Sequence, residues 1–331
     1  MKAVGYQQSL PITDPNSLMD IELPKPQPQG QDLLVKVEAV SVNPVDTKVR
    51  KGVSPDSGFK VLGWDATGVV EQVGDQVTLF KPGDRVWYAG AIDRPGTNAE
   101  YHLVDQRIVG RMPTSLDFTQ AAALPLTALT AWELLFDRFA LNTKHQGSLL
   151  VMGGAGGVGS ILIQLAKKLT SLKVIATASR PESQQWVKQL GANEVVDHSQ
   201  PLAEQLAKIG DINWVASLTQ TQQYLDIYPE IMAAQGKLAV IDDPGQLDIM
   251  AFKRKSISVH WELMFTRSLY QTQDMIEQHH ILNQVADLVD EGTLKTTHGE
   301  SLGAINADNL RKAHEILEAG TAVGKLVLTG F

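Results

Sequence analysis

The sequence predicts an α/β protein in two units, a β-rich first part followed by a doubly wound parallel sheet. Three observations predict it. Up to about residue 119 the chain runs in short alternating apolar and polar stretches punctuated by Gly, Pro and Asp. After Ala121 it changes to strand-like and helix-like segments in alternation. Between one such strand and helix stands GGAGGVG, residues 153–159, five glycines in seven positions. A chain of 331 residues is long enough for two units that each bury a core, at about 100–200 residues per domain.

In the first part, Leu33-Leu34-Val35-Lys36-Val37 and Gly68-Val69-Val70-Glu71-Gln72-Val73 are the clearest strands, and helical periodicity is scarce. In the second, strands at 149–152, 174–177 and 195–196 each precede a helical stretch, at 158–169, 182–190 and 202–209. Further apolar runs at 212–216, 238–241 and 257–259 complete a sheet whose connections imply parallel strands with helices on both faces. Beyond Arg267 come helices at 272–290 and 308–318 and a strand at 325–328. Periodicity alone leaves open whether this tail extends the second unit or returns to the first.

Composition narrows the function. The chain has no cysteine, so disulfides, thiolate nucleophiles and cysteine-ligated metals are excluded, and redox chemistry must come from a bound cofactor. With a formal net charge of −8 and no dense basic run, neither nucleic acid nor an anionic membrane is an expected partner. Lys253-Arg254-Lys255 reads as a solvated turn before a strand. Residues 146–166 carry no charge, but five central glycines would break a spanning helix. The opening MKAVGYQQSL lacks the apolar core of a signal peptide, and the expected location is cytoplasmic.

The glycine loop is the strongest motif. As G-x-G-x-x-G it places Gly154, Gly156 and Gly159 between a strand and a helix, the context in which backbone N–H groups of Gly154, Ala155, Gly156, Gly157 and Val158 grip a pyrophosphate. The next strand ends in Ala178-Ser179-Arg180. An acidic residue there would accept from a ribose 2′-hydroxyl, whereas Ser179 and Arg180 offer donors and positive charge to a 2′-phosphate. NADPH is therefore the expected cofactor. Later strand ends, at Leu218-Thr219 and Ile241-Asp242, should line the cofactor crevice, although two adjacent acids at Asp242-Asp243 are unexpected there.

Several further stretches, in order, resemble the medium-chain dehydrogenase/reductase superfamily and within it the zinc-free quinone oxidoreductase branch. They are Val42-Asn43-Pro44-Val45-Asp46, Gly63-Trp64-Asp65-Ala66-Thr67-Gly68, Lys81-Pro82-Gly83-Asp84-Arg85-Val86, residues 124–132 (LPLTALTAW), the glycine loop, and Gly324-Lys325-Leu326-Val327-Leu328. The resemblance implies a chaperonin-10-like β domain at 1–124 and 268–331, a Rossmann dinucleotide-binding domain at 125–267, an active cleft between them, and a homodimer formed by edge-strand pairing of the nucleotide-binding domains. Zinc-dependent members bind their metal at positions that here read Asn43, Trp64 and a site close to Leu126. Such a set does not supply the three or four N, S or O donors that zinc needs, and the eight histidines form no obvious cluster, His279-His280 reading as an exposed helix pair. No metal is expected.

Without a metal, the expected chemistry is hydride delivery to an electron-poor quinone or enone, the protein positioning the reactants and hydrogen-bonding the oxygen that gains charge. The resemblance puts Asn43 and Asp46 at the catalytic floor, with Thr127, Thr130, Phe265, Lys325 and again Asn43 on the nicotinamide side, and His198 beside the 2′-phosphate. Trp64 and Tyr88 are candidates for an aromatic wall of the substrate pocket. Two other readings stand: an alcohol or aldehyde oxidoreductase with a protein acid, Asp46 or Tyr88, replacing zinc, and a crystallin-like or nucleotide-sensing NADPH binder with little turnover.

Overall fold

The computed structural model describes residues 1–331. The chain divides into unit 1, Met1–Leu129 with Phe265–Phe331, and unit 2, Thr130–Met264. The first border falls inside the helix Pro125–Trp132, and the tail that periodicity could not assign packs in unit 1.

Unit 1 is organised by the long strand Asp32–Val42, whose Leu33, Leu34, Val35, Ala39 and Val40 are fully buried. It pairs antiparallel with Ala66–Val73, Tyr101–Asp105 and Lys325–Thr329 in a seven-stranded sheet. The register Leu326↔Val42 sets Lys325 beside Asn43. A smaller sheet joins Met19–Glu22, Lys2–Tyr6 and Lys60–Val61.

Although its sequence lacks helical periodicity, this part contains the helix Pro44–Gly52. Its start is written in local chemistry: Asn43 is the cap, Pro44 takes the first position where a missing N–H costs nothing, and Asn43 N donates to Asp46 Oδ2 at 2.8 Å. At its other end the buried Arg50 donates to Leu10 O, His314 Nδ1 and Glu318, fastening this helix to Ala307–Glu318. A guanidinium only donates, so His314 accepts; burial pushes its pKa down to about 3.

Unit 2 is a six-stranded parallel sheet in the spatial order Glu194–Val196, Lys173–Thr177, Ser148–Met152, Ile212–Ser217, Met232–Val240, Ser258–Trp261. Counted along the chain this is 3-2-1-4-5-6, the dinucleotide-binding arrangement, with its order reversing at Ser148–Met152. Leu150, Ile175, Val215, Leu238 and Val240 lie in its core with Tyr228 and Phe252.

Several bounds differ from the sequence expectation. The helix foreseen at 272–290 is Glu277–Asp290, because Thr272 and Arg267 both bond to Asp274 and hold the intervening residues in a turn. The strand foreseen at 238–241 is Met232–Val240. Of the histidine pair expected to be exposed, His280 is, whereas His279 is half-buried: Nδ1 donates to Val109 O at 2.6 Å, and Nε2 accepts from Asn283 Nδ2 at 3.0 Å. No helix is long and apolar enough to cross a membrane.

Candidate functional site

In unit 2 the strand Ser148–Met152 leads into the glycine loop, which opens the helix Gly157–Leu169. The loop is tied to the neighbouring strand by Gly153 N to Thr177 Oγ1 at 2.9 Å and Gly154 N to Thr177 O at 3.2 Å. Most of its glycines are required by packing. A Cβ on Gly154 would lie 2.9 Å from Ala176 Cβ, and one on Gly159 would lie 2.5 Å from Gly153 O. Gly156 is different, because its Cβ would meet only Gly153 O at 3.5 Å, and its φ of −74° suits any residue. Nothing inside the protein demands glycine at 156, whereas a ligand approaching the backbone there would. Gly156 is also the cap of the helix and offers its first turn no side-chain oxygen, leaving that end to an anion.

The next two strands end side by side, Thr177 opposite Val196. Ala178 N donates to Val196 O at 3.0 Å, bringing the 178–180 and 197–198 segments together. Arg180 caps the helix Pro181–Gln189, and its half-exposed side chain pairs with Glu182 at 3.2 Å. His198 Nδ1 is buried without a protein partner. Across the switch point, Thr219 lies against Gly153.

Asp242 is accommodated by the protein itself. Thr221 donates to it from both N, at 2.9 Å, and Oγ1. Behind Thr221, its hydroxyl and the Tyr228 hydroxyl lie 2.7 and 2.6 Å from Ser217 Oγ. The acid that is unexpected at this strand end is thus held by two donors from Thr221, at the start of the short helix Thr221–Tyr224.

In unit 1 the candidates gather around Asp65, which is wholly buried. Its Oδ1 accepts from Leu126 N at 2.7 Å; its Oδ2 accepts from Ser41 Oγ at 2.9 Å, Asn43 Nδ2 at 2.8 Å and Lys325 Nζ at 3.1 Å. Lys325 Nζ also donates to Val42 O at 3.0 Å and to Asn43 Oδ1. Asn43 Nδ2 has a second acceptor, Trp64 O, at 3.3 Å. Every hydrogen of the Lys325 ammonium and of the Asn43 amide is therefore engaged inside unit 1. Beside this cluster, Asp46 is buried with Oδ1 unpartnered, and burial pushes its carboxyl up to about 7.

Trp64 and Tyr88 are closed within unit 1. Trp64 donates from its indole to Ala91 O at 3.2 Å and meets Phe265 edge to face, ring centres 6.2 Å apart. It follows Gly63, where φ is +113° and a Cβ would lie 2.5 Å from Thr97 Oγ1. Tyr88 stacks on His102 at 5.4 Å. Since His102 Nε2 faces the carbonyl of Pro95 at 2.9 Å it must carry the proton, and Nδ1 accepts from the Tyr88 hydroxyl at 3.1 Å. Thr127 is buried and donates to Leu124 O at 3.0 Å; Thr130 is buried one turn on.

Sequence reasoning missed two features, the Lys325–Asp65 ion pair and a buried acid pair in unit 2. Glu262, just beyond the strand Ser258–Trp261, is hydrogen-bonded to Glu133, and Arg138 Nε lies 2.8 Å from Glu262 Oε2. Glu133 opens a six-residue π-helical stretch, Glu133–Arg138, a distortion that often accompanies function. No group of three or more His, Cys, Asp or Glu side chains in the chain is arranged to hold a metal ion.

Comparison with known proteins matches this geometry. Residues 29–114 fit the alcohol dehydrogenase GroES-like domain, and residues 190–328 fit the zinc-binding dehydrogenase family. A solved structure from Rhizobium etli CFN 42, assigned to zinc-dependent alcohol dehydrogenases, is 56% identical with a TM-score of 0.96, covering 100% of this chain and 98% of that one. A zinc-type alcohol dehydrogenase-like protein of Staphylococcus epidermidis is 39% identical over 99% of both chains. Human quinone oxidoreductase is 29% identical over 92% of this chain and 90% of its own. The chain belongs to the medium-chain dehydrogenase/reductase superfamily and is an oxidoreductase of that superfamily.

Proposed function

We propose that this protein is an NADPH-dependent, zinc-independent reductase of quinones or α,β-unsaturated carbonyls. The observation that carries the reading is Gly156, a glycine with no neighbour that requires it, at the uncapped start of the helix Gly157–Leu169. Of the amides expected to grip the pyrophosphate, Gly154 N and Gly156 N are spent on Thr177 O and Gly153 O, both at 3.2 Å, so those of Ala155, Gly157 and Val158 would hold it, and Ser179, Arg180 and the unpartnered His198 Nδ1 would meet a 2′-phosphate. Leu218, Thr219, Ile241 and Asp242 would border the nucleotide, and Thr127, Thr130 and Phe265 would serve the nicotinamide half. The chemistry that NADPH supplies when bound is a hydride.

Zinc is named for the family and for two of the relatives, but the donors here do not suit it. Trp64 and Leu126 offer no ligand atom, and the Asn43 oxygen already accepts from an ammonium. No step through a metal is therefore derived. An acceptor that needs no Lewis acid is one already electron-poor, and human quinone oxidoreductase is a relative of that kind. Asp46, with a pKa of about 7, would carry the proton that completes reduction of the acceptor. A second copy is proposed to pair along the outer strand Ser258–Trp261, whose Trp261 is 57% exposed.

The test is to mix the protein with NADPH and a simple quinone or enone and follow the absorbance of the reduced nicotinamide. Saturable loss supports the reading. Tight binding without loss favours a nucleotide sensor, and the absence of binding overturns the assignment.

A further inference from the structure

We propose that Lys325 is a positioning residue: as a buried ammonium it fixes, through Asp65, the first turn of the helix Pro125–Trp132, and so the Thr127 that serves the nicotinamide half. The inference rests on the NADPH reading above. Three acceptors surround Nζ, namely Val42 O, Asn43 Oδ1 and Asp65 Oδ2. A neutral amine would present only two hydrogens and turn a lone pair on the third oxygen; an ammonium satisfies all three. Asp65 receives four donors, which a carboxylate accepts without conflict and a protonated acid does not. Burial alone drives each member toward neutrality, so each charge is held by the other.

The consequence lies at Asp65 Oδ1. The helix begins with Pro125, which has no N–H, after Leu124, which has no side-chain oxygen to cap it. Its first backbone donor, Leu126 N, bonds to Asp65, so the cap is supplied from the residue just before the strand Ala66–Val73, as an anion at the positive end of the helix. Lys325 keeps that anion charged and in place. Thr127 is the next residue along. The cation in this cluster is thus part of the chain, and its action on the cofactor passes through Asp65.

The experiment measures two affinities by calorimetry, for NADPH and for adenosine 2′,5′-bisphosphate, which lacks the nicotinamide half. In Lys325→Met, NADPH binding should weaken by about tenfold or more, as expected for a displaced contact, while the bisphosphate binds as before. Should that variant not fold, the neutral double variant Asp65→Asn/Lys325→Met carries the same comparison, because it leaves no buried charge unpaired. Equal loss of both ligands, or an unchanged affinity for NADPH, overturns the positioning role while the cofactor assignment stands. Wild-type protein that binds neither ligand removes the cofactor reading and this inference with it.

Discussion

The carboxyl group of Glu262 is hydrogen-bonded to that of Glu133 inside unit 2, with Arg138 at 2.8 Å on the outer side. Burial, and then the neighbouring Glu133, push Glu262 from an ordinary 4.5 up to about 9. The folded protein therefore keeps a proton that the unfolded chain releases above about 4.5, and stability should fall as pH rises from there towards 9. Glu262→Gln keeps a neutral hydrogen-bonding group and removes the titration. Its melting temperature should vary less over that window and exceed the wild type's at pH 8, where its stability should be greater by about 1–4 kcal/mol. Thermal melts in a pH series decide it, and parallel curves for the two proteins would count against a shared proton.

Gly156→Ala and Gly159→Ala should separate ligand space from packing space. The alanine methyl at 156 makes only an ordinary contact, 3.5 Å from Gly153 O, so the melting temperature should stay close to the wild-type value while NADPH affinity drops. At 159 the methyl collides with two backbone carbonyls, and the fold itself should lose stability on the order of 1–3 kcal/mol. Calorimetry and melting on the two variants check this, and wild-type NADPH binding in Gly156→Ala contradicts it.

Arg180→Ala should weaken NADPH by about 10- to 100-fold, the worth of one or two charge-assisted hydrogen bonds, and leave NADH nearly untouched. The Glu182 partner is no obstacle, since a half-exposed pair at 3.2 Å contributes little and exchanges readily. Titration with both nucleotides checks it; equal losses would remove the 2′-phosphate from this arginine.

Asp46 must be protonated to donate, so the rate of acceptor reduction should decline as pH rises through about 7. Asp46→Asn retains an oxygen for the Asn43 N–H, and should be slow with a flat profile across that range. A steady-state pH series on both proteins measures this. An unaltered profile in the variant assigns the proton to another group.

Much of the fold was legible because local chemistry and periodicity agreed. Alternating strands and helices foretold the parallel sheet, and the glycine motif foretold the tight passage from the strand Ser148–Met152 to the helix Gly157–Leu169. The helix Pro44–Gly52 went unseen although Asn43, Pro44 and Asp46 spell a capped start, since those residues also spell a turn. The ion pair was beyond reach for a different reason. Lys325 and Asp65 are 260 positions apart and meet only because Lys325–Thr329 and Ala66–Val73 both pair antiparallel with Asp32–Val42, two registers that no local pattern encodes. Trp64 and Tyr88 show a related limit: an aromatic side chain reads alike for wall or core, and only its neighbours, Phe265 and His102, fix its surroundings.

Unit 2 is a single uninterrupted segment, whereas unit 1 is assembled from two, and this orders events on the ribosome. As the polypeptide emerges, Asp65 is exposed long before the ammonium that neutralises it has been translated, and the Rossmann half can acquire its structure in the interval. The β-rich half can bury that anion with its counter-charge only once the last strand has been made.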